Sequence, residues 1–120
     1  MRILLDTNFL LLWKKFKVDV FEEIKRICDF KYDLYVLDRT LDELNKVRMP
    51  GYKVAFGLIK KHNIKVIKTQ DTKRYVDDLL LDNLNKETAL ATVDLGLKKR
   101  AKQKGFRTIT LRKGQHLILE

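Results

Sequence analysis

The stretch Arg2-Ile3-Leu4-Leu5-Asp6-Thr7-Asn8-Phe9 decides the fold. An apolar run ends abruptly in an acid, and two small polar residues follow. A central strand of a parallel sheet reads this way: buried on both faces, with its carboxylate at the C-terminal end. In open α/β sheets that end of the strands is where ligands bind. The pattern returns late in the chain as Ala89-Leu90-Ala91-Thr92-Val93-Asp94. Two strand-end aspartates so far apart in sequence meet only if their strands lie side by side.

Working outward, strand and helix alternate. Residues 2–6, 33–37, 64–67, 89–93 and 107–111 read as strands. Residues 18–29 form a helix whose apolar positions Val18, Phe21, Ile24, Ile27 and Cys28 follow the 3.6 period. Residues 39–48 form another, with Leu41, Leu44 and Val47 inward. Residues 51–62 follow Pro50, with Val54, Leu58 and the small Ala55 and Gly57 as the packed set. Helices over 75–85 and 95–104, the latter closed by Gly105, complete the series. Such alternation implies a parallel sheet with helices on both faces, in one domain over residues 1–120.

Composition narrows the chemistry. The 26 Lys and Arg outnumber the 16 Asp and Glu, for a net charge of +10, so a polyanion, above all nucleic acid, is the expected partner. The single cysteine, Cys28, forms no internal disulfide and points to a reducing cytoplasm. No apolar run approaches the length of a membrane span, and an aspartate at position 6 leaves no room for a signal peptide. The chain contains no serine, so serine nucleophiles are excluded. One cysteine with two distant histidines, His62 and His116, rules out a Cys/His zinc site. Carboxylate chemistry remains.

Asp6 and Asp94 end strands, and each competes with a role as helix N-cap; Thr7 and Asn8 could cap as well as Asp6. Glu43 closes Thr40-Leu41-Asp42-Glu43, which also fits a capping box. Asp77 and Asp78 open the helix over 75–85, where the macrodipole favours acids. Asp77 shares a stripe with Leu80, Leu81 and Leu84 and so points inward, whereas Asp78 groups with Asp82 and Asn85. These acids stand at strand ends or in the helical turns that follow, at one edge of the sheet. Two carboxylates about 4 Å apart repel by about 4 kcal/mol at an effective dielectric near 20, so gathering several calls for a cation. Hard oxygen donors without His or Cys select Mg²⁺ or Mn²⁺. A basic chain with an acidic metal pocket suits metal-assisted phosphodiester hydrolysis.

At Leu4-Leu5-Asp6-Thr7-Asn8-Phe9, Leu41-Asp42-Glu43-Leu44, Tyr75-Val76-Asp77-Asp78 and Ala91-Thr92-Val93-Asp94 with Leu97-Lys98-Lys99-Arg100, the chain resembles a PIN domain over nearly its whole length. It looks more like the PIN endonucleases that process small-subunit ribosomal RNA than the toxin-type members. The resemblance implies a three-layer α/β/α sandwich around a central parallel sheet and a Mg²⁺- or Mn²⁺-dependent ribonuclease. Its acids would fall on Asp6, Glu43, Asp77 and Asp94, with Asp78 as a further metal ligand and Thr7, Asn8 and Thr92 in support. Many relatives carry another acid two residues after the last aspartate, where this chain has Gly96.

RNA would find two basic clusters, Lys14, Lys15 and Lys17 near Asp6, and Lys98, Lys99 and Arg100 after Asp94. Trp13 and Phe16 stand among the first lysines and suit base stacking; Trp13 serves equally for burial or a homodimer contact. Two alternatives accompany the ribosomal-RNA endonuclease: a toxin-type ribonuclease held by an antitoxin, and a catalytically weak RNA-binding assembly factor. A phosphoacceptor receiver domain would need an acidic pair after the first strand, and Thr7-Asn8 is not one.

Overall fold

The computed structural model describes residues 1–46, 50–69 and 73–120. The strands are β1 (Arg2–Leu5), β2 (Asp33–Leu37), β3 (Lys65–Ile67), β4 (Thr88–Ala91), β5 (Arg107–Arg112) and β6 (His116–Leu119). The helices are α1 (Thr7–Leu10), α2 (Leu12–Lys15), α3 (Val20–Ile27), α4 (Asp38–Lys46), α5 (Tyr52–Lys61), α6 (Val76–Asp82) and α7 (Leu95–Gln103). They build one sheet in the order β3-β2-β1-β4-β5-β6. The two aspartate-ended strands are indeed neighbours: β1 and β4 pair in parallel, with Leu5 opposite Ala91.

Pairings among β1 to β5 are all parallel, but β6 runs antiparallel to β5. The sheet is therefore mixed rather than purely parallel. Only residues 113–115 separate β5 from β6. A parallel return needs a crossover of a dozen or more residues, so this short link permits only a hairpin. Gly114 (φ 65°) and Lys113 (φ 55°) supply the left-handed turn. Helix α3 covers the outer edge of β6. Glu23 accepts the Leu117 N–H at 3.0 Å, and Arg26 donates to the Leu117 carbonyl at 3.1 Å. Those backbone groups are thereby withheld from another strand.

The alternation of β1 divides the core. Ile3 and Leu5 pack with Phe9, Ile24, Leu44 and Ala55 on one face, whereas Leu4 packs with Leu80, Leu90 and Leu97 on the other. Helices α1 to α5 thus cover one side, and α6 and α7 cover the other, as an α/β/α sandwich requires. On α5 the inward stripe is Ala55 and Ile59, one turn apart, while Val54 is 48% exposed and Gly57 faces open space. The packed set expected there is thus rotated by about one residue at Val54. Val47 lies outside the described residues.

Candidate active site

Along the sheet, the chain leaves β1 toward β2 and β3 on one side, and leaves β4 toward β5 and β6 on the other. The β1–β4 boundary is therefore a topological switch point, the place where ligands bind in open α/β sheets. Asp6 follows β1 there, and Asp94 follows β4 by three residues.

Asp6 is buried. Its backbone N–H donates to the Ala91 carbonyl at 3.0 Å, which continues the β1–β4 ladder. It also caps α1 itself, in place of Thr7 or Asn8: its Oδ1 accepts the Thr7 N–H at 2.7 Å. Its Oδ2 accepts the Thr92 hydroxyl at 2.8 Å. The same Thr92 oxygen accepts the Asp94 N–H at 3.1 Å. One buried threonine therefore ties the two strand-end aspartates together. Asp94 in turn caps α7, its Oδ1 accepting the Leu97 N–H at 3.1 Å. The capping roles of Asp6 and Asp94 are real, and they fix where each carboxylate sits.

Burial raises the proton affinity of Asp6; the bonds from Thr92 and Thr7 lower it, and the charges of Asp77 and Glu43 raise it again. Asp77, half-buried in the first turn of α6, is raised first by burial and next by Asp94; Arg100 opposes this, and Glu43 and Asp78 add to it. Asp6 thus lies within the field of Asp77 and Glu43, and Asp77 within that of Asp94 and Glu43. As placed, no three His, Cys, Asp or Glu side chains among the described residues converge as a ready-made ligand cluster. Asp78 turns elsewhere and accepts from Arg100 on α7 at 2.7 Å, a bond that lowers its proton affinity.

The capping box proposed for Glu43 does not form. Helix α4 begins at Asp38, so Thr40 lies within it, buried, and its hydroxyl finds no partner among the described residues. Thr7 is likewise buried with an unpartnered hydroxyl, directly beside Asp6. Gly96 sits against Asp94: a Cβ built there would lie 3.3 Å from Asp94 Oδ1.

The basic clusters fare differently. Lys14 and Lys15 line a groove of about 640 Å³ together with Asn8, Phe16, Asp94 and Leu95. Lys17 is exposed nearby but outside that lining. Trp13 packs on Gly51, where a Cβ would meet its ring at 2.8 Å. Lys98 and Lys99 line a second hollow of about 430 Å³ with Leu95 and Lys102. Lys98 and Lys102 both hold Glu120, and Arg100 is committed to Asp78. Sequence reasoning missed two features. Arg100 is a cation of the acidic site, a pairing set by how α6 packs on α7. Leu95 is a 76% exposed leucine beside Asp94, and its position directly after the strand-end acid was the available signal.

Comparison with known proteins bears on the fold and the family. The rRNA-processing protein FCF1 of Saccharomyces cerevisiae is 30% identical over 104 residues, which make up 85% of this chain and 54% of that protein. The chain thus spans about half the length of this curated relative. Among solved structures, that of the PIN domain endonuclease Utp24 matches with a TM-score of 0.85 at 23% identity, covering 99% of this chain and 90% of that one; the likeness establishes the fold. A family model described as a PIN like domain matches residues 3–114. Because that match takes in every strand-end and first-turn acid described above, and nearly all of the sheet, the chain belongs to the PIN-like domain family.

Proposed function

We propose that this protein is a Mg²⁺- or Mn²⁺-dependent RNA endonuclease acting on ribosomal precursor RNA. The observation that carries the reading is the Thr92 bridge that ties the buried Asp6 to Asp94 at the switch point, with the charges of Asp77 and Glu43 raising the proton affinity of Asp6. Arg100 is the cation that offsets Asp77. The donor set fits a hard divalent ion: every candidate ligand is a carboxylate oxygen, and the orphaned Thr7 hydroxyl adds a buried polar atom beside it. Asp6, Asp77 and Asp94 would hold the ion, with Glu43 reaching it directly or through water and Asp78 at the margin. When bound, the metal supplies Lewis acidity at a phosphoryl oxygen and a more acidic attacking water.

The chain's own residues position and balance. Thr92 orients Asp6 Oδ2 and the Asp94 backbone together. Lys14 and Lys15, in the groove that Asp94 also lines, neutralise substrate phosphates, and Lys17, Lys98 and Lys99 extend that field. Asn8 lines the same groove and offers an amide to the substrate. FCF1, the curated relative, is an rRNA-processing protein, which supports ribosomal precursor RNA as the substrate class. Cys28, buried and unpaired, suits a reducing cytoplasm. Among the described residues no helix is long and apolar enough to cross a membrane.

The test is Mn²⁺-dependent cleavage of a single-stranded RNA taken from a ribosomal precursor. Asp6→Asn should abolish it while the protein stays folded. Undiminished cleavage by the variant sinks the reading. A catalytically weak RNA-binding assembly factor is the second reading, and Gly96 favours it, since a glycine stands against Asp94 where many relatives place another acid. In that case Mn²⁺ addition leaves RNA intact although RNA binds. The toxin-type, antitoxin-held reading gains no comparable observation from this site.

A further inference from the structure

Leu95 is the first residue of α7 and immediately follows Asp94. It is apolar and 76% exposed, on a helix whose remaining surface carries Lys98, Lys99, Arg100 and Lys102. It lines both basic hollows: the groove of Lys14 and Lys15, and the second hollow of Lys98, Lys99 and Lys102. An apolar ridge therefore stands between two lysine-lined depressions, next to a candidate metal ligand. The groove on the α2 side continues that apolar surface through Phe16 and Leu111. Phe16 is held in place by Gly114, whose Cβ, were there one, would meet the ring at 2.8 Å. Within the described residues no ion pair engages Lys14 or Lys15, although the Lys15 ammonium lies 5.5 Å from the centroid of the Phe16 ring.

We infer that Leu95, Phe16 and Leu111 form a nucleobase subsite beside the scissile phosphate, in which Lys14 and Lys15 take the adjoining phosphate of the same unpaired nucleotide. The inference rests on the nuclease reading above and adds a place for a base. A nucleotide is an apolar ring joined to an anion, and the groove presents an apolar wall joined to two cations. Its volume of about 640 Å³ lies within the roughly 300–1,000 Å³ of small-ligand sites. Apolar contact with a base face is tolerant of sequence, because every base has such a face. The subsite would thus grip whichever nucleotide adjoins the cut and leave sequence choice to other surfaces.

The test measures binding of a fluorescein-labelled single-stranded RNA octamer to the Asp6→Asn protein across a salt series. Adding Leu95→Ala should weaken binding about tenfold, as loss of partly buried apolar surface does, while leaving the slope of log affinity against log salt unchanged, since no charge is removed. Leu95→Phe should restore affinity to the parent level. Replacing Lys14 and Lys15 with Ala should instead flatten the slope, by about 0.7 for each phosphate no longer neutralised. Leu95 is exposed, so these variants keep the fold, which an unchanged melting temperature verifies. If RNA binds and Leu95→Ala binds it equally well, the subsite is overturned while the nuclease reading stands. If no variant, the parent included, binds RNA at low salt, both fall. Mn²⁺-dependent cleavage by the wild-type chain reports on the nuclease reading separately.

Discussion

Asp6 and Asp38 are built alike and held to opposite ends. Each follows or ends a central stretch of strand and starts a helix. Each accepts the next residue's N–H at 2.7 Å, from Thr7 and Arg39 respectively. Each accepts a threonine hydroxyl from a neighbouring strand's exit, Thr92 at 2.8 Å and Thr69 at 2.7 Å. Yet the proton affinity of Asp6 is raised and that of Asp38 lowered. Burial pushes both upward. For Asp38 it is outweighed by Thr69, which donates through hydroxyl and backbone N–H (3.0 Å), and by Arg39. For Asp6 the burial is deeper, and the nearby charges are those of Asp77 and Glu43. The same local motif is a latch where its donors outweigh burial, and a carboxylate of raised proton affinity where they do not.

The largest effect should come from the pair of acids on α6. Asp77→Asn should weaken Mn²⁺ binding by more than about a hundredfold, a drop beyond that typical of supporting residues. Asp78→Asn should cost far less, because Arg100 already holds that carboxylate. Comparing the two affinities by titration checks this, and a larger drop at Asp78 would move the ligand assignment by one residue.

The Asp6–Asp38 contrast itself predicts opposite stabilities. Asp38→Asn should destabilise by about 2 kcal/mol, because its charge-assisted hydrogen bonds weaken or break. Asp6→Asn should leave the fold unchanged or more stable, because it removes a buried charge and its repulsion. The pH dependence follows from the signs. The folded value of Asp38 lies below its ordinary 3.8, so its contribution is full above that pH and is lost as pH falls through the folded value. The folded value of Asp6 lies above 3.8, so its penalty is present at neutral pH and is relieved as pH falls through that value. Urea unfolding at pH 7 and pH 3 separates the two, and parallel behaviour would break the contrast.

The two threonines sharpen it further. Thr92→Val should weaken Mn²⁺ binding about tenfold by releasing Asp6 and Asp94, as removal of a supporting partner does. Thr69→Val should lower stability and leave Mn²⁺ affinity unchanged. The smallest effect belongs to Arg100→Gln, which should tighten Mn²⁺ binding about threefold by removing a partly screened cation from beside Asp77. Weaker binding there would mean that Arg100 positions α6 rather than competing for its charge.

The βα alternation and the adjacency of β1 and β4 were legible because buried central strands write uninterrupted apolar runs, and a strand-end aspartate interrupts them. Asp77 was distinguishable from Asp78 by the leucines three, four and seven residues on. Strand β6 was not legible: His116–Leu119 is short, and its pairing depends on a hairpin link and on Glu23 and Arg26 of α3. Short helices α1 and α2 carry too few residues for a 3.6 period to show. The Asp38 latch was not legible, because its partner Thr69 reaches it only after β3 docks beside β2. The Arg100–Asp78 pair depends in the same way on α6 and α7 packing side by side on one face of the sheet, and the Leu95 ridge on where α7 begins.

The central claim is that the switch-point carboxylates bind a divalent cation and that the Asp38 latch does not. Isothermal titration with Mn²⁺, run in two buffers of different ionisation enthalpy, tests it on the wild type, Asp6→Asn and Asp38→Asn. The wild type should bind Mn²⁺ and release more protons as the pH is lowered, since burial and like charge raise the proton affinity of Asp6 and Asp77 and a bound cation lowers it. Asp38→Asn should bind alike, and Asp6→Asn should lose the binding and the proton release together. Equal Mn²⁺ binding by Asp6→Asn and the wild type would contradict the account.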